Sequence, residues 1–221
     1  MNGTEKENNS VQVPLANNML LEGNLSLPEN TRGLVLFAHG SGSSRHSPRN
    51  QFVARVLQEA GLATLLIDLL MAPEEAEDRS TARIRFNIDL LGERVVEVTN
   101  WLIANPTTAN LKIGYFGAST GAAAALVAAA EHPLAVGAVV SRGGRPDLAG
   151  SHLSRVETPT LLIVGSKDTQ VLELNLMAFS LLRGEKLIEI VAGATHLFEE
   201  RGALEQVAQL ASRWFKRYLV D

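Results

Sequence analysis

The stretch GYFGASTGAAAALVAAAEH, Gly114 to His132, passes from a short apolar strand pattern into an alanine-rich helix pattern, with a serine between two glycines at the junction. A strand that turns at once into a helix forces its corner residue into strained backbone geometry, holds that side chain clear above the sheet and requires small neighbours. This is the physical content of G-x-S-x-G, present here as GASTG from Gly117 to Gly121. On that reading Ser119 presents its oxygen to a substrate, and the N–H of Thr120 faces a developing oxyanion. The plainer reading is a glycine-bounded turn whose serine caps a helix. In a chain with 18 glycines the bare motif arises by chance often enough that its surroundings must decide.

Working outward, near-continuous apolar runs alternate with helical patterns. GLVLFAH is followed by a helix around Phe52 to Ala60, ATLLID by a long helix around Ile84 to Ala104, and KIGYF by the helix after Ser119. VGAVVS, PTLLIVG, a helix around Leu172 to Arg183, KLIEIV and an amphipathic helix from Ala203 to about Leu219 complete the series. Repeated strand–helix units imply a three-layer α/β fold, a mostly parallel twisted sheet with helices on both faces. Before them, VQVPL and MLLEGNLSLP read as two short N-terminal strands in an antiparallel edge hairpin. Only about eighteen positions separate AVVS from PTLL, too few for a large helical cap domain. The acidic run EEAED, Glu74 to Asp78, reads as a solvated loop.

A serine hydroxyl is a weak nucleophile until a base takes its proton, and the base needs a third group to orient it. LLIVGSKDTQV places Asp168 just past one buried strand, and IEIVAGATHLFEE places His196 just past the next. Both fall on loops at the carboxyl ends of parallel strands, where open α/β sheets hold their sites. Singly, Asp168 is most simply a turn aspartate and His196 an ordinary loop histidine. Jointly, three residues in the order serine, acid, histidine, each after its own strand, are a far less probable coincidence. His39, His46, His132 and His152 lack the required position in that order.

The loop LVLFAHGSGSSRHSPRN carries a second glycine cluster after a strand. GSGSSR begins like a dinucleotide-binding G-x-G-x-x-G, and Asp68 ends the following strand like a ribose ligand. Arg45, however, stands where the third glycine belongs, and Pro48 delays the helix beyond a pyrophosphate turn. Under the hydrolase reading the backbone N–H of Ser41 supplies the second oxyanion donor, while His39 organises the loop. The segment SRGGRPDLAG places Arg142 and Arg145 beyond a strand expected beside the elbow strand. One of them is expected to meet a substrate carboxylate or phosphate, the alternative being a surface turn with solvated or ion-paired arginines. Arg45, His46 and Asp68 are further candidates for lining the mouth.

The 221 residues, 46% of them hydrophobic, suffice for one sizeable core, read as a frayed start over residues 1–10 and a single domain over 11–221. A net charge of −4 lacks the basic excess expected for a nucleic-acid partner. The start MNGTEKENNS has no signal-peptide core, and the longest apolar run, around Ala122 to Ala130, is too short for a membrane partner. A cytoplasmic location is the expectation. With no cysteine and no plausible cluster of metal ligands, no metal and no cofactor are expected.

At these residues the chain resembles the α/β-hydrolase superfamily, and more narrowly the small dienelactone-hydrolase-like serine hydrolases without a lid. The resemblance runs from about Val11 to Leu219 through HGSGSS, GYFGASTG, LLIVGSKD and GATHLF. It implies Ser119 as nucleophile, Asp168 as triad acid and His196 as base, with oxyanion amides from Ser41 and Thr120. A small ester or lactone would be cleaved through an acyl-enzyme without a cofactor. Dienelactone hydrolases proper carry cysteine at the elbow, a departure that bears on the dienelactone substrate but not on ester hydrolysis by serine. The resemblance extends to chains in which such a domain is fused to a phosphoribosyltransferase, although no phosphoribosyl-binding motif stands here. The alternative function is a non-catalytic protein of the same fold that binds a small molecule.

Overall fold

Strand-forming runs pair into one eight-stranded sheet in the computed structural model of the chain, which describes residues 9–16 and 19–220. The strands are β1 (Asn9–Pro14), β2 (Leu20–Ser26), β3 (Gly33–Ala38), β4 (Ala63–Ile67), β5 (Lys112–Ala118), β6 (Val136–Arg142), β7 (Thr160–Gly165) and β8 (Lys186–Val191). They lie in the order β1-β2-β4-β3-β5-β6-β7-β8. Strands β3 to β8 run parallel, whereas β1 pairs antiparallel with β2 and β2 antiparallel with β4. Of the expected frayed start, residues 1–8 lie outside the described residues, and Asn9 and Ser10 pair with Leu25 and Asn24.

The described residues form six α-helices: α1 (Pro48–Glu59), α2 (Ala72–Thr81), α3 (Ile88–Ala104), α4 (Thr120–Glu131), α5 (Thr169–Leu181) and α6 (Ala203–Leu219). Val35, Phe37, Phe116 and Val140 pack with α1 and α6 on one face, while α3, α4 and α5 close the other over Leu36, Tyr115 and Leu162. Helix α4 is buried from Thr120 to Ala130, and its alanines make that possible by letting neighbours approach closely. At Gly92 of α3 a Cβ would stand 2.5 Å from Val127 Cγ1 of α4. None of the helices is long and apolar enough to cross a membrane among the described residues.

Three local expectations are corrected. EEAED lies on α2 instead of a solvated loop, since Glu74 pairs with the buried Arg94 of α3 at 2.5 Å and Asp78, 2% exposed, pairs with Arg85 at 2.6 Å. Arg142 ends β6 instead of lying beyond it, because the parallel pairing with β5 continues to Ala118 opposite Arg142. The long helix expected from Ile84 starts at Ile88, after a 3-10 turn over Ile84–Phe86, where the Asn87 side chain accepts the Leu90 N–H.

The order of β4, β3 and β5 makes the gap between β3 and β5 a topological switch point, from which successive connections leave in opposite directions. His39 ties down one wall of that crevice. Its Nε2 accepts the Leu69 N–H at 2.9 Å, which leaves the proton on Nδ1 to be donated to Gly40 O at 2.9 Å. Burial pushes its pKa below the ordinary 6.5, because a charged ring here would lose its water.

Two measurements check these packing assignments. Gly114 opens the slot filled by the Phe215 ring, since a Cβ there would stand 2.8 Å from Phe215 Cε1. Phe215→Ala is therefore expected to lower stability in urea unfolding by about 3–5 kcal/mol. The contribution of neutral His39 is complete above pH 6.5 and is lost as pH falls below it, because the unfolded chain then binds the proton more readily. Between about pH 7.5 and 5 the wild type should lose stability more steeply than His39→Gln, and parallel profiles would rule out this role.

Candidate active site

The elbow is built by close backbone approach. A Cβ at Gly117 would stand 2.4 Å from Ala122 Cα, and one at Gly121 would stand 2.2 Å from Ala38 O, so α4 starts hard against both β5 and β3. Ser119 at the corner is forced to φ 50° and ψ −122°, a conformation that costs a non-glycine residue of order 1–3 kcal/mol. Its N–H donates to Arg142 O at 3.4 Å, and its carbonyl accepts from Arg145 N at 3.0 Å. Ser119 occupies the N-cap position of α4, yet its side chain makes no capping bond and no hydrogen bond among the described residues. Ser119 is half-buried.

Asp168 repeats that behaviour. It holds the N-cap position of α5 without capping it, and its Oδ2 instead accepts from His196 Nδ1 at 2.6 Å. A carboxylate on Nδ1 keeps the proton there and leaves the Nε2 lone pair available, the arrangement a general base requires. The loops after β7 and β8 are joined by Ser166 N to Val191 O at 3.0 Å and Lys167 N to Ala194 O at 2.9 Å. At Gly143 a Cβ would stand 3.6 Å from His196 Nδ1, so the turn that grips the Ser119 backbone also abuts the histidine. Among the described residues no hydrogen bond joins Ser119 to His196, the one expected pairing that the structure does not make.

Sequence reading missed two supports of His196. Glu200 accepts from Thr195 N at 3.1 Å and from Thr195 Oγ1 at 2.7 Å, clamping the histidine loop, and the Thr195 hydroxyl bond holds its carboxyl below the usual range. Phe198, 1% exposed, pins the same loop at φ 55°. The signal for the clamp was a threonine followed five positions later by an acid, too common a spacing to read without the turn.

Ser41 and Thr120, the expected oxyanion donors, meet. The Ser41 N–H, however, already donates to Thr120 Oγ1 at 3.0 Å, and the two hydroxyls lie 3.0 Å apart. A substrate oxygen would have to share or displace that hydroxyl to use the Ser41 amide. Thr120 opens α4, where first-turn amides have no intrahelical acceptor and the helix dipole favours negative charge. Beside this pair lies a cavity of about 40 Å³ lined by His39, Ser41, Asp68, Leu69, Arg85 and Thr120, room for about three water-sized groups. Asp68 accepts from Arg45 N at 2.6 Å and pairs with the Arg45 guanidinium, while His46 is exposed.

The two candidate arginines differ sharply. Arg145 forms a bidentate pair with Asp147 at 2.9 and 2.8 Å. Arg142 is 7% exposed, donates from Nη2 to Asn50 Oδ1 at 3.3 Å and has no carboxylate partner among the described residues. Burial, with Arg49 nearby, pushes its pKa down to about 10. Among the described residues, no group of three metal-ligating side chains stands together.

Residues 31–213 match the family described as Alpha/beta hydrolase domain. Proteins from two Mycobacterium tuberculosis strains, which bear the name phosphoribosyl transferase, are 58% identical over 209 residues, covering 95% of this chain and 46% of their own length. The chain thus spans about half the length of the curated relatives it matches. A crystal structure of dienelactone hydrolase from Anabaena variabilis is 58% identical, with a TM-score of 0.94 over 96% of this chain and 98% of that one. The fold is shared with Est1E from Butyrivibrio proteoclasticus, 15% identical with a TM-score of 0.77 over 94% and 98% of the two chains. Sequence and architecture agree, and the chain belongs to the α/β-hydrolase family.

Proposed function

We propose that this protein is a serine hydrolase that cleaves a small carboxylic ester or lactone through an acyl-enzyme, with Ser119, His196 and Asp168 as its triad. The observation that carries the reading is a shared departure from helix capping. Serine and aspartate are favoured at N-caps because their oxygens satisfy orphan amides, yet Ser119 leaves its hydroxyl free and Asp168 gives its carboxylate to His196. Their positions are thereby released for chemistry.

His196 Nε2 takes the Ser119 proton as Oγ bonds to the carbonyl carbon, and the carbonyl electron pair moves onto oxygen at the mouth of α4. The Thr120 amide receives that charge, joined by the Ser41 amide once the Thr120 hydroxyl yields it. Collapse of the intermediate breaks the bond to the leaving alkoxide, which takes the proton from His196. Water, deprotonated by the same nitrogen, then releases the acid and restores Ser119. Asp168 stabilises the transient imidazolium throughout. The 58% identity to a dienelactone hydrolase supports this class of reaction. The transferase name belongs to longer proteins, of which this chain matches 46%.

Labelling by a fluorophosphonate probe, mapped by mass spectrometry, tests the assignment. Rapid modification of Ser119 is expected, slowed by about 10³-fold or more in His196→Ala and strongly in Asp168→Asn. Labelling that survives removal of His196 would identify a different base, and an unlabelled folded protein would favour the non-catalytic binding role.

A further inference from the structure

Asn175 is 0% exposed in the middle of α5, between the buried apolar residues Val171 and Ala178 on the same inward stripe. Asparagine is a poor helix former, and an amide whose hydrogen bonding is incomplete is costly to bury. Its Nδ2 donates to Val171 O, one turn back, at 2.8 Å and to Gly144 O at 3.0 Å, while its Oδ1 is buried without a partner. Both neighbours are acceptors, so only the amide nitrogen can face them. A leucine of similar volume would fill this position without an orphaned oxygen. What it would lose is the bond to Gly144.

The Gly144 carbonyl belongs to the planar peptide unit that ends in the Arg145 N–H, and that N–H donates to Ser119 O at 3.0 Å. Carbonyl and N–H point to opposite sides of one rigid plate, so a donor on the first fixes the direction of the second. Left alone this plate would turn readily, because Gly143 and Gly144 precede it and glycine resists few rotations. No side chain at position 144 can restrain it, since a Cβ there would stand 2.0 Å from Ser141 Oγ and 2.6 Å from Ala122 Cβ. The restraint comes instead from α5.

Ser119 depends on that plate. A backbone at φ 50° and ψ −122° persists only where its surroundings over-determine it. Its carbonyl accepts from Ala122 N within the elbow at 3.1 Å and from Arg145 N outside it. Asn175 follows Asp168 by seven residues, about two helical turns, so the two stand on one face of α5. The amide therefore joins the helix that begins with the candidate acid to the turn that grips the candidate nucleophile.

We propose that Asn175 is a positioning residue, which pins the Gly144–Arg145 peptide so that the Arg145 N–H holds Ser119 in its strained conformation. The proposal rests on the hydrolase reading above for the role of Ser119. The peptide it pins can be observed without that reading.

Two measurements are made on the same proteins: the rate of Ser119 labelling by a fluorophosphonate, and hydrogen exchange of backbone amides by NMR. In Asn175→Leu the buried Gly144 carbonyl has no side-chain donor, and labelling should slow by about 10- to 100-fold, as expected for a displacement of about 1 Å. Exchange at the Arg145 amide should quicken by about tenfold or more relative to the Gly143 amide, which donates to Ile163 O at 2.8 Å and does not depend on Asn175. Asn175→Ala, which cannot clash, should show the same two changes. Ala178→Gly, on the same face of α5 but away from the turn, is the control. It should lower the urea midpoint while leaving the labelling rate and the Arg145-to-Gly143 exchange ratio as in the wild type.

Wild-type labelling rates in both Asn175 variants, an unchanged exchange ratio, equal losses in Ala178→Gly, or failure of both Asn175 variants to fold would each overturn the proposal. Failure of the hydrolase reading has a different signature: the folded wild type is not labelled, while the exchange ratio still rises in Asn175→Leu.

Discussion

A side chain at Gly121 would collide with the carbonyl oxygen of Ala38, and one at Gly117 with the backbone of Ala122, so β3, β5 and the first turn of α4 meet at bare-backbone distance. Everything at the site descends from this contact. Because α4 begins where β5 stops, Ser119 has no room for an ordinary strand or helix conformation and takes a positive φ that lifts its side chain above the sheet. The alanines of α4 extend the same economy of volume along the helix, letting α3 and the sheet enclose it from Thr120 to Ala130. A buried, tightly packed helix is a rigid one, and a rigid helix keeps the amide of Thr120 and the hydroxyl of Ser119 at a constant separation.

The remaining groups reach this corner through loops at the carboxyl edge of the sheet, and hydrogen bonds between those loops determine where they stop. His39 links the connections after β3 and β4, the 142–145 turn holds the Ser119 backbone at both its N–H and its carbonyl, and two backbone bonds join the loops bearing Asp168 and His196. Glu200 folds back onto Thr195 and closes the histidine turn from outside. Loops so fastened can place reactive atoms almost as accurately as strands do, which matters because a displacement of about 1 Å can cost a hundredfold in rate.

Charge is arranged with similar economy. Asp78 and Glu74 bind arginines contributed by later segments and thereby hold α2 against the mouth, so an acidic run acts as a clamp. The Ser41 amide and the Thr120 hydroxyl satisfy each other, so neither the loop after β3 nor the start of α4 leaves that donor without an acceptor.

Much of this was legible in the amino-acid order alone. Continuous apolar runs separated by helical patterns specify a buried parallel sheet, because strand and helix periodicities are local properties. The same periodicities place Ser119, Asp168 and His196 after the parallel strands β5, β7 and β8, and parallel strands necessarily bring their carboxyl ends to one edge. What only the tertiary structure decided depends on side chains that meet across long separations. Whether Ser119 and Asp168 cap their helices is settled by His196 and by the turn after β6, not by their neighbours in sequence. That Arg145 has a carboxylate partner and Arg142 has none among the described residues is settled by Asp147, two residues from Arg145, and by Asn50 of α1, ninety-two positions from Arg142, whose amide oxygen meets the guanidinium. Periodicity encodes which face of an element is buried; it does not encode which polar group from a distant element will arrive there, because that depends on the geometry of the packed whole.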